Sequence, residues 1–323
     1  MRAAYYERNG TAREVLQIGE VETPSPKPGE VRVKLATSGV NPSDVKSRMG
    51  LTRKIAWPRV IPQSDGAGAI DQVGDGVPAS RIGERVWVWN GQWKRAFGTA
   101  AEYITLPSAQ AVKLPEKVSF EEGACLGIPA MTAIHAVALA APAPGSTLLV
   151  SGGAGAVSQY VIQFAKALGA TVLTTISSPE KATAAREAGA DHCIDYKRED
   201  VGERVMQLTG KKGVDAVIEM DLAANARLLP SVLRPKGSVI IYGTTPEATI
   251  PAAFCLTSSI RLQFFLVYEL DAGERERAIA GITRALEHGT LRNQVGPTFT
   301  LADCVAAHEA VEKGTIGNVV VKL

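Results

Sequence analysis

The chain has 323 residues, 46% of them hydrophobic and 21% charged, the composition of a globular protein with a sizeable core, and this excludes a disordered or collagen-like chain. At roughly 150 residues per domain the length points to about two domains. Lys and Arg number 35 against 33 Asp and Glu, a net charge of +2, which is too weak a field to argue for nucleic acid or another acidic partner.

The first ten residues include Arg2, Tyr5, Tyr6, Glu7 and Arg8 and contain no apolar h-region, so no secretory signal is expected. Up to about Ser119 the sequence is rich in Gly and Pro, with alternating runs such as Val31-Arg32-Val33-Lys34-Leu35 and Glu84-Arg85-Val86-Trp87-Val88-Trp89. Period-two alternation between turn signals predicts short strands of a β-rich unit. Trp87, Trp89 and Trp93 form an aromatic group that reads as core or as the wall of a substrate cleft, and on such a strand Trp87 and Trp89 share one face. From about Glu121 the character changes. A helical stretch, Gly123 to Ala141, leads through Pro142, Pro144 and Gly145 into apolar strands alternating with amphipathic helices, the rhythm of βαβ units. The most apolar segment, Ala136 to Val150, is broken by those prolines and is too short to span a bilayer, so a soluble cytoplasmic protein is expected.

The run Thr147-Leu148-Leu149-Val150 is followed by Ser151-Gly152-Gly153-Ala154-Gly155-Ala156-Val157-Ser158 and then by Val161, Phe164, Ala165 and Leu168 at helical spacing. A glycine-rich turn between strand and helix is the context of a dinucleotide fingerprint. Gly153 is expected to make the tight turn and Gly155 to let the backbone approach a pyrophosphate, met by amides at the helix N-terminus. Ser158 replaces the third glycine of the motif. A second strand, Thr171 to Ile176, leads to Ser178-Pro179, read as N-cap and first helical residue, and Gly169 and Gly189 close their helices. An NAD site calls for a carboxylate at the end of that second strand to hold the ribose 2′-hydroxyl. The segment reads Thr174-Thr175-Ile176-Ser177-Ser178 instead, with Lys181, Tyr196 and Lys197 nearby, a set suited to a 2′-phosphate. NADPH is therefore the expected cofactor. Further strands are predicted at Val214 to Glu219 and Ser238 to Tyr242, completing an open parallel sheet that places ligands at its carboxyl end. Beyond Ile260 the pattern breaks into Phe264-Phe265, a helix from Glu274 to His288 and a final strand, Val319-Val320-Val321. The predicted organisation is a discontinuous first domain, residues 1–121 and 260–323, with a dinucleotide domain, 122–259, inserted.

Cys125, Cys193, Cys255 and Cys304 lie far apart, which suits neither a disulfide framework nor a structural zinc cluster. Asn41-Pro42 and Asp65-Gly66 are turn signals by themselves, and Thr132 can bond back to a helix carbonyl.

Taken in order, Ser38-Gly39-Val40-Asn41-Pro42-Ser43-Asp44, Ser64-Asp65-Gly66-Ala67-Gly68, Val73-Gly74-Asp75-Gly76-Val77, Gly83-Glu84-Arg85-Val86, Pro129-Ala130-Met131-Thr132-Ala133, the Ser151 to Ser158 turn and Ala188-Gly189-Ala190-Asp191-His192 resemble the zinc-free quinone oxidoreductase (zeta-crystallin-like) branch of the medium-chain dehydrogenase/reductase superfamily. The resemblance covers nearly the whole chain. It implies an α/β fold in which a doubly wound Rossmann sheet is inserted into a GroES-like, β-rich catalytic domain, with NADPH in the cleft between them and a homodimeric assembly. The zinc-dependent relatives place a Cys and a His near Val40 and Ser64. This chain has neither there, and no metal is expected.

Carried over residue by residue, the resemblance implies that Asn41 lies near the nicotinamide and substrate, Thr132 near the cofactor, and Ser64 and Asp65 at a cleft-facing turn. Gly152, Gly153, Ala154, Gly155, Ala156 and Val157 would form the pyrophosphate loop, and Ser177, Ser178, Lys181 and Tyr196 the 2′-phosphate pocket. Tyr242, Gly243 and Thr244 would lie beneath the riboses, Asn318 would make a polar contact, and Phe264 and Phe265 would approach the cleft. Lys46 stands where many relatives carry a tyrosine, and Asn318 where many carry a lysine. Hydride transfer needs orientation and electrostatics rather than a protein nucleophile. Asn41, Lys46 and Thr132 are the candidate donors that polarise a quinone or an α,β-unsaturated carbonyl, with the final proton from solvent or Lys46. The competing readings are a 2-alkenal or enoyl reductase, a non-catalytic NADPH-binding protein of crystallin or RNA-associated type, and a zinc alcohol dehydrogenase. The expected partner is a small molecule, a quinone or enone, with no nucleic acid and no membrane.

Overall fold

The computed structural model describes residues 1–323 and turns the alternating segments of the first third of the chain into strands. β1 (Arg2–Tyr5) and β2 (Gln17–Glu20) form an antiparallel ribbon. β3 (Glu30–Val40), β4 (Asp65–Val73), β5 (Arg85–Val88), β6 (Tyr103–Pro107) and β7 (Ala111–Lys113) follow. The chain then runs through β8 (Thr147–Val150), β9 (Thr171–Ile176), β10 (His192–Asp195), β11 (Val214–Glu219), β12 (Leu233–Ile241) and β13 (Arg261–Phe264), and ends with β14 (Val295–Thr300) and β15 (Asn318–Lys322). Two sheets result. One has the order β14-β15-β3-β4-β5-β7, with β6 also on β3, and the other is the open sheet β10-β9-β8-β11-β12-β13, parallel throughout.

Contacts divide the chain into two units, Met1–Pro129 with Ile282–Leu323, and Ala130–Gly281. A discontinuous first unit with an insertion is the organisation expected, but both cuts move. The stretch Gly123 to Ala141 is not one helix, because Pro129 has no N–H for a regular ladder. A short turn, Phe120–Gly123, and a π-helical turn, Leu126–Ala130, precede a helix at Met131–Ala140. The later boundary moves because residues after Ile260 continue the parallel sheet: β13 pairs with β12 from Ser238↔Arg261 to Ile241↔Phe264. The helix Ala272–Glu287 follows, and the second boundary falls inside it.

In the second unit, Leu149, Leu173, Ile194, Val217, Val239 and Ile241 come from successive strands and bury one face of the sheet under flanking helices, the pattern of doubly wound sheets. In the first unit, Val31, Val33, Leu35, Ile70, Val86 and Ile104 form one apolar cluster. Trp87 is wholly buried, while Trp89 lies beyond the end of β5 and is half-buried. All four cysteines are free, with Cys125 and Cys304 buried. No helix is long and apolar enough to cross a membrane.

Asn41-Pro42 starts a helix rather than a loop. Asn41 is the N-cap of Pro42–Met49, with Pro42 in the first turn, where its missing N–H costs nothing. The same helix carries Arg48, whose side chain is wholly buried and reaches Glu312 of the Cys304–Lys313 helix at 2.5 Å. Two further Arg48 nitrogens, Nε and Nη1, have no partner, so the ion pair with Glu312 is the direct contact that offsets its charge. Truncating one member of such a pair strands the other. Glu312→Ala is expected to destabilise the protein by about 2 kcal/mol, read as a lower urea midpoint, and Glu309→Ala, whose partner Arg13 is mostly exposed, by much less.

Candidate functional site

In the second unit, β8 delivers the chain into the glycine-rich turn at the carboxyl end of the sheet. The left-handed residue there is Gly152, at φ +65°, and not Gly153, to which the sequence reading gave the tight turn. Gly153 is required for a different reason: a Cβ on it would sit 2.3 Å from the Thr174 hydroxyl oxygen of β9. Thr175 accepts the Gly152 N–H with its hydroxyl at 2.9 Å and the Gly153 N–H with its carbonyl at 3.0 Å, pinning the turn. Gly155 is the N-cap of the helix Ala156–Ala167 and contributes no capping side chain. The first-turn amides of Ala156 and Val157 therefore have no partner within the helix, and together with the dipole they form an anion cradle.

Ser158 shows how the fingerprint tolerates a missing third glycine. Its side chain is buried, and its hydroxyl donates to the Ser151 carbonyl at 2.8 Å and lies 3.4 Å from the Tyr242 hydroxyl. Burial raises the Tyr242 phenol well above its ordinary pKa, so it is a neutral hydrogen-bonding group beneath the turn. Gly243 follows, where a Cβ would lie 2.0 Å from the Met220 carbonyl oxygen; Thr244 is exposed. Glu219, at the end of β11, went unnoticed in the sequence. Buried, it accepts from the Ser151 hydroxyl at 2.6 Å, the Asp221 N–H at 2.6 Å and the Asn225 amide at 2.9 Å, and so ties the turn after β8 to the segment after β11.

At the end of β9, Ser178 caps the helix Pro179–Glu187, as its sequence predicts. Lys181 turns back so that Nζ donates to the Ser177 hydroxyl at 3.1 Å. Tyr196 follows β10, bonds through its N–H to the Ile176 carbonyl at 3.2 Å, and exposes its ring. Ser177 and Lys181 thus meet at the end of β9, and Tyr196 is tied to the same strand end through its backbone; the neighbouring carboxylates are Glu180, bonded to Ser178, and Asp195 of β10, paired with Ile176. Thr132, in the first turn of the Met131–Ala140 helix, does not bond back to a carbonyl. Its hydroxyl is buried without a partner, a state that costs about 1–3 kcal/mol unless a ligand satisfies it. Phe265 packs edge-on against His135, with ring centroids 4.8 Å apart. Phe264 is 58% exposed on the edge strand β13. A dinucleotide fits this unit: uncapped amides and the glycine turn would hold its pyrophosphate, and the orphaned Thr132 hydroxyl would meet another polar group of it.

The first unit contains a buried polar cluster. Asn41 donates its backbone N–H to Asp44 Oδ2 at 2.8 Å and its side-chain amide to Asp65 Oδ2 at 2.7 Å. All three are buried. Burial pushes Asp44 up to about 7, against the opposing Asn41 hydrogen bond. Burial and the neighbouring Asp44 charge push Asp65 well above the carboxylate range. Asp65-Gly66 is no turn; it begins β4. Ser64 and Asp65 are both buried, and the Ser64 hydroxyl accepts the Gln92 N–H at 3.4 Å. Gln63, left-handed at φ +75°, was missed although it anchors this turn. It meets Ser38, and its amide nitrogen lies 3.3 Å from His308 Nε2. Asn318 is buried at the start of β15. Lys46 is exposed on the Pro42–Met49 helix, and its side chain is not gathered into the Asn41 cluster.

Residues 156–284 match the family described as zinc-binding dehydrogenase, and residues 27–116 match the alcohol dehydrogenase GroES-like domain. A quinone oxidoreductase of Rattus norvegicus is 32% identical over 96% of this chain and 94% of its own length. A 2-haloacrylate reductase of Burkholderia sp is 28% identical over 99% and 98%. A mycobacterial protein solved with NADPH is 28% identical and superposes with a TM-score of 0.89 over the full length of both chains. The chain belongs to the medium-chain dehydrogenase/reductase superfamily. Within it, it is an oxidoreductase of the quinone oxidoreductase type. Zinc, which the family description implies, does not suit the residues present. Val40 is aliphatic, Asn41 and Asp65 are bonded to each other, the Ser64 hydroxyl is taken by Gln92, and no three His, Cys, Asp or Glu side chains gather to hold a metal.

The raised Asp44 pKa has a stability consequence of definite sign. The folded state holds the proton more tightly than the unfolded chain, so stability falls as pH rises from about 4 to about 7 and is level above. In Asp44→Asn that loss is removed while an acceptor for the Asn41 N–H remains. Between pH 5 and pH 7 the variant is expected to gain about 2 kcal/mol on the wild type in urea denaturation; a pH-independent difference would show that Asp44 ionises freely.

Proposed function

We propose that the protein is an NADPH-dependent, zinc-free oxidoreductase that transfers a hydride to a quinone. The observation that carries the cofactor assignment is the pairing of Lys181 with Ser177 at the end of β9, a cation and hydroxyl where a carboxylate would repel a 2′-phosphate. The mycobacterial protein that binds NADPH supports the same choice, and the quinone assignment is supported by similarity to quinone oxidoreductases along nearly the whole chain. The reduced nicotinamide, when bound, supplies the hydride.

The protein supplies position. Asn41 is fixed at both its backbone and its side chain by two buried carboxyls. Its amide has a second N–H beyond the one given to Asp65, which is the donor we assign to the substrate oxygen. The Thr132 hydroxyl, lacking a protein partner, is assigned to the cofactor. Lys46, being exposed, is assigned no more than a supply of protons in exchange with solvent. Reduction of the quinone takes up the hydride and one proton and yields the hydroquinone.

Reduction of an activated C=C bond is the second reading, favoured by the similarity to the 2-haloacrylate reductase. We further propose a homodimer in the cytoplasm. The edge strand β13 has an unpaired side, and Phe264, Leu266 and Leu256 expose 58%, 48% and 80% of their surface, the features of a strand edge and apolar patch that a second copy covers. The four free cysteines accord with a reducing compartment.

Oxidation of NADPH should be measured against quinones, alkenals and aldehydes. Turnover of quinones above the others is expected, and turnover of none would favour a binding protein. Lys181→Ala should raise KM for NADPH by about tenfold and leave NADH unaffected, since about 1.4 kcal/mol of phosphate contact is lost. Light scattering should give twice the chain mass of 34.1 kDa, and Leu256→Glu with Phe264→Glu should shift it toward the monomer.

A further inference from the structure

The first unit contains a cavity of about 270 Å³ that the reading above does not use. Tyr6, Trp57 and Trp93 give it aromatic walls, and Arg53, Lys54 and Lys94 give it three cations with no Asp or Glu among the lining residues. A chain with a net charge of +2 has no general excess of cations to place there, so the cluster is local.

Arg53 is held ready rather than spent. Its guanidinium lies 5.2 Å from the centre of the Trp93 ring, and one nitrogen donates to the Gln92 side chain, which in turn donates to the Arg95 carbonyl at 2.9 Å. Stacking on an aromatic face and one fixed hydrogen bond orient the plane while leaving the other guanidinium N–H groups for a carboxylate. Lys94 also approaches the Trp93 ring, at 5.7 Å. The segment is built with non-glycine residues in the left-handed region, Asn90 at φ +53° and Lys94 at φ +57°, a strain that persists where the surroundings demand it, as at ligand clamps. The carboxyl on the Pro42–Met49 helix, Asp44, is pushed up to about 7 by burial and is about half protonated near neutrality, so it neutralises Arg53 only in part.

The cavity is also connected to the polar cluster. Ser47 lines it from the same helix that Asn41 caps, about 9 Å along the helix axis at 1.5 Å per residue. Gln92, which lines it too, bonds through its N–H to Ser64. We propose that this cavity receives a carboxylate borne on a flat conjugated body, so that the quinones or enones reduced by the protein include carboxylated ones. The assignment rests on the reductase reading above. Trp57 and Trp93 pack the body and Arg53, Lys54 and Lys94 bind the anionic group.

The test uses the full chain with NADPH and a matched pair, a benzoquinone bearing a carboxylate side chain and its methyl ester. The acid is expected to exceed the ester in kcat/KM by about tenfold, equivalent to about 1.4 kcal/mol, and the ratio to fall toward one in Arg53→Met. A ratio near one in the wild type, or an unchanged ratio in Arg53→Met, overturns the proposal. Turnover of neither quinone would refute the quinone reading, and the site is then judged by calorimetry without turnover. Naphthalene-2-carboxylate should bind more tightly than naphthalene-2-carboxamide and lose that advantage in Arg53→Met, or in Lys54→Met with Lys94→Met should the arginine variant fail to fold. Equal affinities for the two in the wild type overturn it as well.

Discussion

The polar interior of the first unit depends on one residue, Asn41, whose backbone and side chain link two carboxyls that cannot comfortably ionise together. Its backbone N–H goes to Asp44 and its amide to Asp65. Both acids are buried, where an isolated charge would cost several kcal/mol. The cost is limited by protonation, which is why burial raises both pKa values, and by hydrogen bonds whose geometry then fixes Asn41. A donor held this way needs no reorganisation when a substrate oxygen arrives, the condition under which electrostatic stabilisation is most effective.

The dinucleotide half follows another constraint, the closeness of neighbouring strands at the carboxyl end of the parallel sheet. Thr174 from β9 occupies the space where a Gly153 side chain would be, and Met220 after β11 does the same for Gly243. Glycine-rich turns were legible in the sequence because such close approach leaves few residue choices. The division of labour within the turn was not, since the left-handed residue depends on where Thr174 and Thr175 place their hydroxyls, and those residues lie more than twenty positions away. Ser158 looked like a defect in the motif for the same reason. Its hydroxyl finds the Ser151 carbonyl, a long-range match that no local pattern announces.

Local signals served well wherever an element is determined by its own residues. Strands such as Thr171–Ile176 and Val214–Glu219, the Ser178 cap and the closing glycines 169 and 189 all stand as the periodicity and capping rules place them. Failures occurred where context reverses a local preference. Asp65-Gly66 has turn composition yet opens a buried strand, and residues after Ile260 break the βαβ rhythm yet add β13 to the sheet. The acidic residue at position 44 stands three residues after Asn41, the spacing by which an N3 side chain reaches back to an N-cap, so that signal was available. For Glu219 and Gln63 the informative fact is burial, which exists only in the folded chain.

Net charge gives a last example of the difference between sum and placement. The near balance of 35 basic and 33 acidic residues is uninformative at the level of the whole chain, but the basic residues are not interchangeable. Arg48 is buried and committed to Glu312, so its charge stabilises the fold and is closed to ligands. Lys181 leans on a serine hydroxyl, and Arg53 on an indole ring and an amide; neither pairing cancels a charge. A cation hydrogen-bonded to neutral groups keeps most of its field, and an ordered one keeps its direction, so the anion sites proposed above rest on where Lys181 and Arg53 are placed rather than on how many basic residues there are.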